Sequence, residues 1–231
     1  MEKSPVNGKK IAAGKAIGYI KNGMTLGLGT GSTAYWAIQG IGEMVKNGLS
    51  VRAIATSMQS EALARELEIP IIPFAEIEHI DLTIDGADEV DEQLNLIKGG
   101  GGALLREKIV ASATGFYIII VDQSKLVSKL GKFPLPVEVA PFGWELTMRK
   151  LTALGGVPKM RMADNKPFLT DNSHYILDCS FGLINDPALL HEQVSAITGV
   201  MEDGFFINMA DIVIAGSPDG DTKVIANPSK K

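Results

Sequence analysis

Cysteine is almost absent from this 231-residue chain, and the single residue Cys179 excludes an intrachain disulfide and a zinc site built from several thiolates. Such sparing use of cysteine is typical of a reducing cytoplasm. Because Cys179 lies in an apolar stretch with Ile176, Leu177 and Phe181, we expect an inert core thiol rather than a nucleophile.

Positive charge and long apolar runs are also scarce. Lys and Arg total 22 against 27 Asp and Glu, so the formal charge is −5, and no basic block typical of nucleic-acid binding is present. No apolar run reaches the length of a membrane span. Met1–Lys10 is polar and lacks the apolar segment of a signal peptide. We therefore predict a soluble cytoplasmic protein with no nucleic-acid or membrane partner, in which an anionic substrate needs a local positive site.

The first half of the chain alternates short apolar runs with helical patterns. The predicted strands are Met24–Leu28, Val51–Thr56, Ile69–Pro73, Ile80–Ile84 and Phe116–Val121. The predicted helices are Lys9–Lys21, Ala34–Val45, Ser57–Leu67 and Ala103–Thr114. This alternation predicts an α/β fold with a Rossmann-like, mostly parallel sheet flanked by helices. Ligand sites in such sheets gather at the carboxyl ends of the strands.

The pattern changes at Phe133–Pro136. The later predicted strands and helices are Val137–Val139, Trp144–Leu154, Lys159–Met162, Tyr175–Cys179 and Pro187–Thr198. They indicate a smaller α+β, ferredoxin-like unit, after which the apolar run Asp211–Gly216 returns to the main sheet. We predict a main α/β catalytic domain over residues 1–131 and 208–231, and a smaller α+β domain over residues 132–207.

A glycine-rich loop, Gly27–Thr33, lies between a predicted strand and a predicted helix. Glycines let a backbone approach a ligand closely, and the N–H groups at a helix start bind anions. The loop lacks the Gly-Lys-Ser/Thr ending of a P-loop, and Ser32 stands where a dinucleotide fingerprint has its third glycine. We therefore favour a generic phosphate site, in which Thr30, Ser32 and Thr33 add hydroxyl donors; the alternative is a tight turn with helix-capping hydroxyls.

Three further segments contain candidate chemical groups. Asp85–Asp91 crowds several acids at a strand end, which is typical of a metal, carbohydrate or acid–base site, or of a solvated capping turn. Lys98 precedes four glycines and an apolar helix, so a nest of N–H groups for an oxyanion is favoured over a floppy loop. Taken alone, Glu107 on that helix and Lys125 after a strand are better explained as surface residues.

Aldose–ketose isomerisation needs a phosphate anchor, help with ring opening, a base, and stabilisation of an enediolate oxygen. The chain offers a candidate for each requirement at predicted strand ends. His79, His174 and His191 are scattered along the chain, so no set of ligands has convincing metal spacing. We therefore expect the enediolate to be stabilised by backbone N–H groups and a lysine rather than by a metal ion.

Together, these segments resemble the ribose-5-phosphate isomerase A family. The resemblance extends from near residue 9 to near residue 220, with the order and spacing preserved. The matching pieces are GLGTGSTA (Gly27–Ala34), DGADEVD (Asp85–Asp91), KGGGGALLREKIVA (Lys98–Ala111), the Asp-x-Ser-Lys at Asp122–Lys125, GKFPLPVEV (Gly131–Val139) and GSPDG (Gly216–Gly220). Two departures, Gly102 and Leu105, stand where family members often have Ala and Thr.

The resemblance implies that Glu107 is the base that moves a proton between C1 and C2 of ribose 5-phosphate and ribulose 5-phosphate, in the non-oxidative pentose phosphate pathway. Asp85 and Lys98 are implied to help ring opening and to steady charge, with Asp88 nearby. A lysine near the N-terminus is implied to contact phosphate, and Lys9 is preferred over Lys10. The implied substrate-binding residues are Lys9, Thr30, Gly31, Ser32, Thr33, Asp85, Gly86, Ala87, Asp88, Lys98, Gly99, Gly100, Gly101 and Lys125.

The family resemblance also implies a homodimer or a dimer of dimers that needs no cofactor. Three alternatives stay open from the sequence. The first is an isomerase for another pentose or hexose phosphate. The second is a sugar-phosphate-sensing module of a transcription regulator, which would need a DNA-binding domain. The third is a nucleotide-dependent oxidoreductase, which the incomplete dinucleotide fingerprint disfavours.

Overall fold

The computed structural model describes residues 7–230, and these form two compact units. The first unit contains the described residues up to Ala87, then Arg106–Leu126, and the described residues from Asn208 onward. The second contains Asp88–Leu105 and Val127–Ile207. Unlike the predicted domain division, this grouping assigns residues 88–105 to the second unit, because two short strands within them pair with a strand near residue 205. The division into domains stays a prediction.

Six α-helices occur within residues 7–230: α1 (Gly8–Ile17), α2 (Ala34–Lys46), α3 (Met58–Glu66), α4 (Leu104–Ser112), α5 (Trp144–Ala153) and α6 (Pro187–Ser195). Each matches a predicted helix within a few residues at either end. The largest difference is at α1, which ends at Ile17 rather than Lys21 because Gly18 caps it and a turn follows.

Fifteen strands occur in the same described region: β1 (Thr25–Leu28), β2 (Arg52–Ala55), β3 (Ile80–Asp85), β4 (Glu89–Val90), β5 (Leu96–Ile97), β6 (Thr114–Asp122), β7 (Leu135–Val139), β8 (Val157–Met160), β9 (Met162–Ala163), β10 (Lys166–Pro167), β11 (Tyr175–Ser180), β12 (Val200–Asp203), β13 (Phe205–Phe206), β14 (Ile212–Gly216) and β15 (Thr222–Ala226). No helix among the described residues combines the length and the apolar character needed to cross a bilayer.

The first unit is built on a six-stranded sheet in the order β15-β14-β6-β3-β1-β2. All its strand pairs are parallel except β14–β15, and the predicted return of the chain to this sheet is confirmed because β14 pairs with β6. The predicted strand Ile69–Pro73 is wrong: only one bridge forms there, between Ile71 and Ala53. Pro70 and Pro73 flank that bridge and lack the N–H groups that a longer ladder needs.

The core of the first unit lies between the sheet and its helices. Small residues on α1 (Ala12, Ala13 and Ala16) are completely buried with Ile38 and Ile41 of α2. Small side chains let α1 approach the sheet closely, which fixes the position of its N-terminus. The mostly parallel sheet flanked by helices confirms the predicted fold class.

The second unit contains the antiparallel sheet β12-β7-β11-β8, with α5 and α6 packed against it. Its core includes Val137, Leu151, Leu177 and Cys179, all fully buried. The expectation of a buried core thiol is therefore confirmed. Two smaller sheets complete this unit, in the orders β13-β5-β4 and β10-β9.

Candidate active site

The turn from β1 to α2 is shaped by glycine. A Cβ atom added to Gly29 would lie 2.2 Å from Asp85 Oδ1, so only glycine fits between these two strand ends. Gly31 has φ +104°, in the left-handed region that glycine adopts without strain. The backbone then enters α2, where the Tyr35 N–H donates to the Gly31 carbonyl at 2.9 Å and the Trp36 N–H donates to the Thr33 carbonyl at 3.1 Å. The dipole of a helix makes its N-terminus attractive to anions.

The three hydroxyl residues of this turn differ in their surroundings. The Thr30 hydroxyl is buried and contacts Thr56 Oγ1 at 2.7 Å and Ser57 Oγ at 2.8 Å, and the Thr30 N–H donates to Asp85 Oδ1 at 3.1 Å. Ser32, in contrast, is exposed. Thr30 thus holds the turn against neighbouring elements, while Ser32 presents its hydroxyl to solvent.

Lys9 is placed beside this turn. Its Nζ donates to Ser32 Oγ at 2.9 Å, whereas Lys10 Nζ lies 5.2 Å from the centroid of the Trp36 ring. The start of α1 is held there by a glycine–glycine contact, since a Cβ atom on Gly216 would lie 1.9 Å from the Gly8 carbonyl oxygen. The GSPDG segment therefore holds Lys9 beside the turn, and Lys9, not Lys10, is hydrogen-bonded to Ser32.

Asp85 ends β3 and is completely buried. Its Oδ1 accepts from Thr30 N at 3.1 Å and from Gly86 N at 2.7 Å, and its Oδ2 accepts from the Tyr117 hydroxyl at 3.3 Å. A buried carboxylate is costly without such donors, so these contacts fix its position. Asp85 thereby connects the candidate phosphate turn with the interior of the sheet.

Glu107 lies in the first turn of α4 and is only 4% exposed. Taken alone, the sequence favoured a surface glutamate, and that interpretation is wrong. Burial, followed by the charges of Asp85 and Glu107, raises the pKa of Tyr117 well above its ordinary value. The charges of Asp85 and Glu107 therefore both act on Tyr117, and all three residues belong to the first unit.

Lys125 lies in a short 3₁₀ turn, Gln123–Lys125, directly after β6, and it is half-buried. Asp122 Oδ1 accepts from the Ser124 backbone N–H at 3.1 Å and begins that turn. The predicted position of Lys125 at a strand end is confirmed. Its role as a phosphate contact stays a proposal.

The second unit contains the remaining predicted residues. Lys98 is 2% exposed, and its Nζ lies 5.3 Å from the centroid of the Phe206 ring. Asp88 Oδ2 accepts from the Gly100 backbone N–H at 2.7 Å, so the acidic segment and the glycine loop are in direct contact. Gly99 has φ +105°, a left-handed conformation that favours glycine, which explains why glycine occupies this position.

The comparisons with known proteins agree with one another. Residues 52–220 match the family model described as ribose 5-phosphate isomerase A (phosphoriboisomerase A). The ribose-5-phosphate isomerase A of Bacillus mycoides is 51% identical over 216 residues, covering 93% of this chain and 98% of that protein. The chain belongs to the ribose 5-phosphate isomerase A family.

Solved structures of this family share the fold. The ribose 5-phosphate isomerase of Plasmodium falciparum is 40% identical, with a TM-score of 0.92 over 95% of this chain and 98% of that one. A D-ribose-5-phosphate isomerase in complex with phospho-erythronic acid is 42% identical, with a TM-score of 0.91 over 94% of this chain and 97% of that one. Asp85, Lys98 and Glu107 lie inside the residues that the family model matches, and the Gly27–Thr33 turn precedes them.

The histidines of this family member each contact a different carboxylate. His79 Nε2 lies 3.0 Å from Asp81, His174 Nδ1 lies 2.9 Å from Glu138, and His191 Nδ1 lies 2.8 Å from Asp203. In residues 7–230, the one group of three side chains with metal-ligand spacing is His191, Glu202 and Asp203. None of these three is a predicted site residue, and Asp203 also accepts from Ser195 Oγ at 3.2 Å and from Phe205 N at 2.9 Å.

Sequence reasoning missed Tyr117 and the hydroxyl cluster around Thr30. Tyr117 is inside the apolar run of β6, so its side chain was indistinguishable from core. Ser57 and Ser60 were visible only as a helix start. The only sign of the cluster in the sequence was the presence of Ser and Thr residues near two strand ends. These residues meet because their strands are neighbours in the sheet, and the sequence alone did not establish the strand order.

Proposed function

We propose that this chain interconverts ribose 5-phosphate and ribulose 5-phosphate through an enediolate, as an aldose–ketose isomerase with Glu107 as its base. Family membership supports the reaction. The observation that carries the assignment of the base is the burial of Glu107, whose charge acts on Tyr117 together with that of Asp85. A carboxylate kept from bulk water in a cluster of polar groups is suited to proton transfer rather than to solubility.

The proposed reaction needs no external reagent. Glu107 removes the proton from C2 of the open-chain aldose. The electron pair forms the C1–C2 double bond, and the negative charge develops on O1. Glu107 returns the proton to C1, the C2 hydroxyl loses its proton to the O1 side, and the C2 carbonyl forms. Atoms and charge balance without a redox cofactor.

Two kinds of donor are proposed to stabilise the negative charge that develops on the substrate oxygens. Lys98 supplies a buried cation, and the glycine loop Gly99–Gly101 supplies backbone N–H groups. Preorganised donors of this kind stabilise a developing oxyanion strongly because they need no reorganisation during the reaction. Asp85 and Lys98 are assigned to ring opening, in which a proton leaves the anomeric hydroxyl and another reaches the ring oxygen, with Asp88 nearby.

The phosphate is assigned to the turn before α2. Ser32, Thr33 and the backbone N–H groups of Gly31–Thr33 are proposed to contact it, with Lys9 and Lys125 supplying positive charge. Gly31 lets the backbone come close. Thr30 is proposed to act through the shape of the turn, since its hydroxyl faces Thr56 and Ser57.

The cytoplasmic location is proposed on the scarcity of cysteine. The homodimer or dimer of dimers and the place in the non-oxidative pentose phosphate pathway are proposed on the family resemblance alone. Mass determination in solution tests the assembly. The sensing-module and oxidoreductase alternatives predict binding of a sugar phosphate or a nucleotide without isomerisation, so a turnover assay separates them from the proposal.

The experiment is conversion of ribose 5-phosphate by the purified chain in D₂O, with and without excess chelator. We expect ribulose 5-phosphate to form under both conditions and to contain solvent deuterium at C1, because a proton on a carboxylate exchanges with solvent. Arabinose 5-phosphate, the C2 epimer, is the matched control and is expected to react poorly, since its C2 proton lies on the opposite face. Loss of turnover only with chelator would contradict the metal-free mechanism, and no turnover at all would contradict the proposed function.

A further inference from the structure

Arg161 lies between β8 and β9 of the second unit, and its side chain is 15% exposed. Its guanidinium contacts two partners at once. On one side, Nε donates to Asp178 Oδ2 at 2.9 Å and Nη2 donates to Asp178 Oδ1. On the other side, Nη1 donates to the carbonyl oxygens of Gly99 at 2.8 Å and Gly100 at 3.2 Å.

These contacts fix two successive peptide groups of the glycine loop. The peptide between Gly99 and Gly100 is held at both ends, because its carbonyl accepts from Arg161 and its N–H donates to Asp88 Oδ2 at 2.7 Å. The carbonyl of the next peptide, between Gly100 and Gly101, also accepts from Arg161. In a planar trans peptide the carbonyl and the N–H point in opposite directions. The Gly101 N–H is therefore directed away from the guanidinium.

Two other hydrogen bonds hold parts of this loop: the Gly102 N–H donates to the Gly99 carbonyl at 3.0 Å, and the Gly100 N–H donates to Asp88 Oδ2. Neither bond involves the Gly100 carbonyl, which accepts from Arg161. Consecutive glycines populate several backbone conformations, so each peptide can rotate. The neighbouring Phe168 ring restricts the loop only at Gly102, where an added Cβ atom would lie 2.5 Å from it. The same ring lies 5.9 Å from the Arg161 guanidinium carbon, so it also supports the anchor.

We propose that Arg161 is a positioning residue of the isomerase: by holding the Gly99 and Gly100 carbonyls, it directs the Gly101 N–H toward the substrate oxygen that becomes negatively charged. This inference rests on the proposed function and deepens it. Lysine cannot replace arginine here, because the planar fork contacts Asp178 and the two carbonyls together.

The test compares Arg161→Lys with Asp178→Asn, and the unchanged chain is assayed in parallel. Arg161→Lys is expected to lower kcat about 100-fold, as for loss of one oxyanion donor, while KM changes less than about threefold. Asp178→Asn loses the ion pair but keeps Nη1 on both carbonyls, so its kcat is expected to stay within about threefold. A purely structural role would alter thermal stability in both variants without the separation of kcat from KM.

A second measurement avoids the question of whether the variants fold. The unchanged chain is labelled with ¹⁵N-glycine, and the Gly101 amide is followed by NMR as phospho-erythronic acid is added. We expect the Gly101 amide proton to shift downfield, as a donor to a carboxylate oxygen does, while the Gly100 amide, already bonded to Asp88, changes little. An inactive parent chain would contradict the proposed function itself. An active parent with a normal kcat in Arg161→Lys, or with an unmoved Gly101 amide, would overturn only the role of Arg161.

Discussion

Replacing Tyr117 by Phe removes one buried hydroxyl and leaves the ring. That hydroxyl donates to Asp85 Oδ2 at 3.3 Å, and Tyr117 is 1% exposed. A hydrogen bond to a charged group contributes about 1.5–3 kcal/mol, and a neutral one about 1 kcal/mol. Because 3.3 Å is long for an O–H donor, and Asp85 keeps the Thr30 and Gly86 N–H groups, we expect a loss of about 1 kcal/mol at pH 8.

The pH dependence of this loss follows from the raised pKa of Tyr117, which results from burial and then from the Asp85 and Glu107 charges. Above about pH 10 the unfolded chain releases the phenolic proton while the folded chain retains it, so unfolding becomes easier by up to about 1.4 kcal/mol per pH unit. The stability that the hydroxyl contributes is thus fully present below pH 10 and declines above it. Near pH 11, the difference between parent and variant is expected to fall to about zero.

The assay is urea unfolding of the parent and Tyr117→Phe at pH 8 and pH 11. Subtracting one curve from the other cancels the titration of the other tyrosines and of the lysines. If the parent and the variant have equal free energies of unfolding at both pH values, the hydroxyl makes no bond to Asp85. If the difference between parent and variant grows from pH 8 to pH 11, the predicted direction of the pH dependence is contradicted. Turnover at pH 8 is expected to fall by about tenfold or less, because Asp85 keeps two donors.

The remaining predictions concern the phosphate contacts and the thiol. Lys9→Ala is expected to raise KM for ribose 5-phosphate about tenfold or more with little change in kcat, while the matched Lys10→Ala leaves both nearly unchanged; equal effects would contradict the assignment of Lys9. Lys125→Ala is also expected to act mainly on KM, and an unchanged KM would remove Lys125 from the site. Burial, with the charge of Asp178, raises the pKa of Cys179 to about 12. A thiol-specific reagent at pH 8 is therefore expected to label Cys179 only after denaturation, and rapid labelling of the folded chain would contradict this.

The long elements could be predicted because their apolar residues are periodic over several turns or strand residues. Strands β4, β5 and β13 contain two residues each, too few to show a period, and they form only because they pair with one another. The predicted strand at Ile69–Pro73 failed for the opposite reason. It is apolar enough for a strand, but its two prolines cannot donate to a ladder.

The sequence predicted which segments form the candidate site. It did not predict which of their side chains are buried or what those side chains contact. Arg106, Glu107 and Lys108 are three charged neighbours, and nothing in their order tells which one packs inward. Tyr117 resembled core, and Arg161 stood inside the predicted strand Lys159–Met162 with nothing to mark it. Their roles depend on contacts between residues far apart in sequence: Tyr117 is 32 residues from Asp85, and Arg161 is 62 residues from Gly99.

The central claim is that Glu107 moves the proton, and the most direct measurement is the turnover of Glu107→Gln beside Glu107→Asp. Gln keeps the shape of the side chain and removes the base, so kcat is expected to fall at least about 1,000-fold while phospho-erythronic acid still binds. Asp keeps a carboxylate that is displaced by one methylene, and it is expected to retain more turnover than Gln. Near-normal conversion of ribose 5-phosphate by Glu107→Gln, with deuterium still entering C1 from D₂O, would contradict the account.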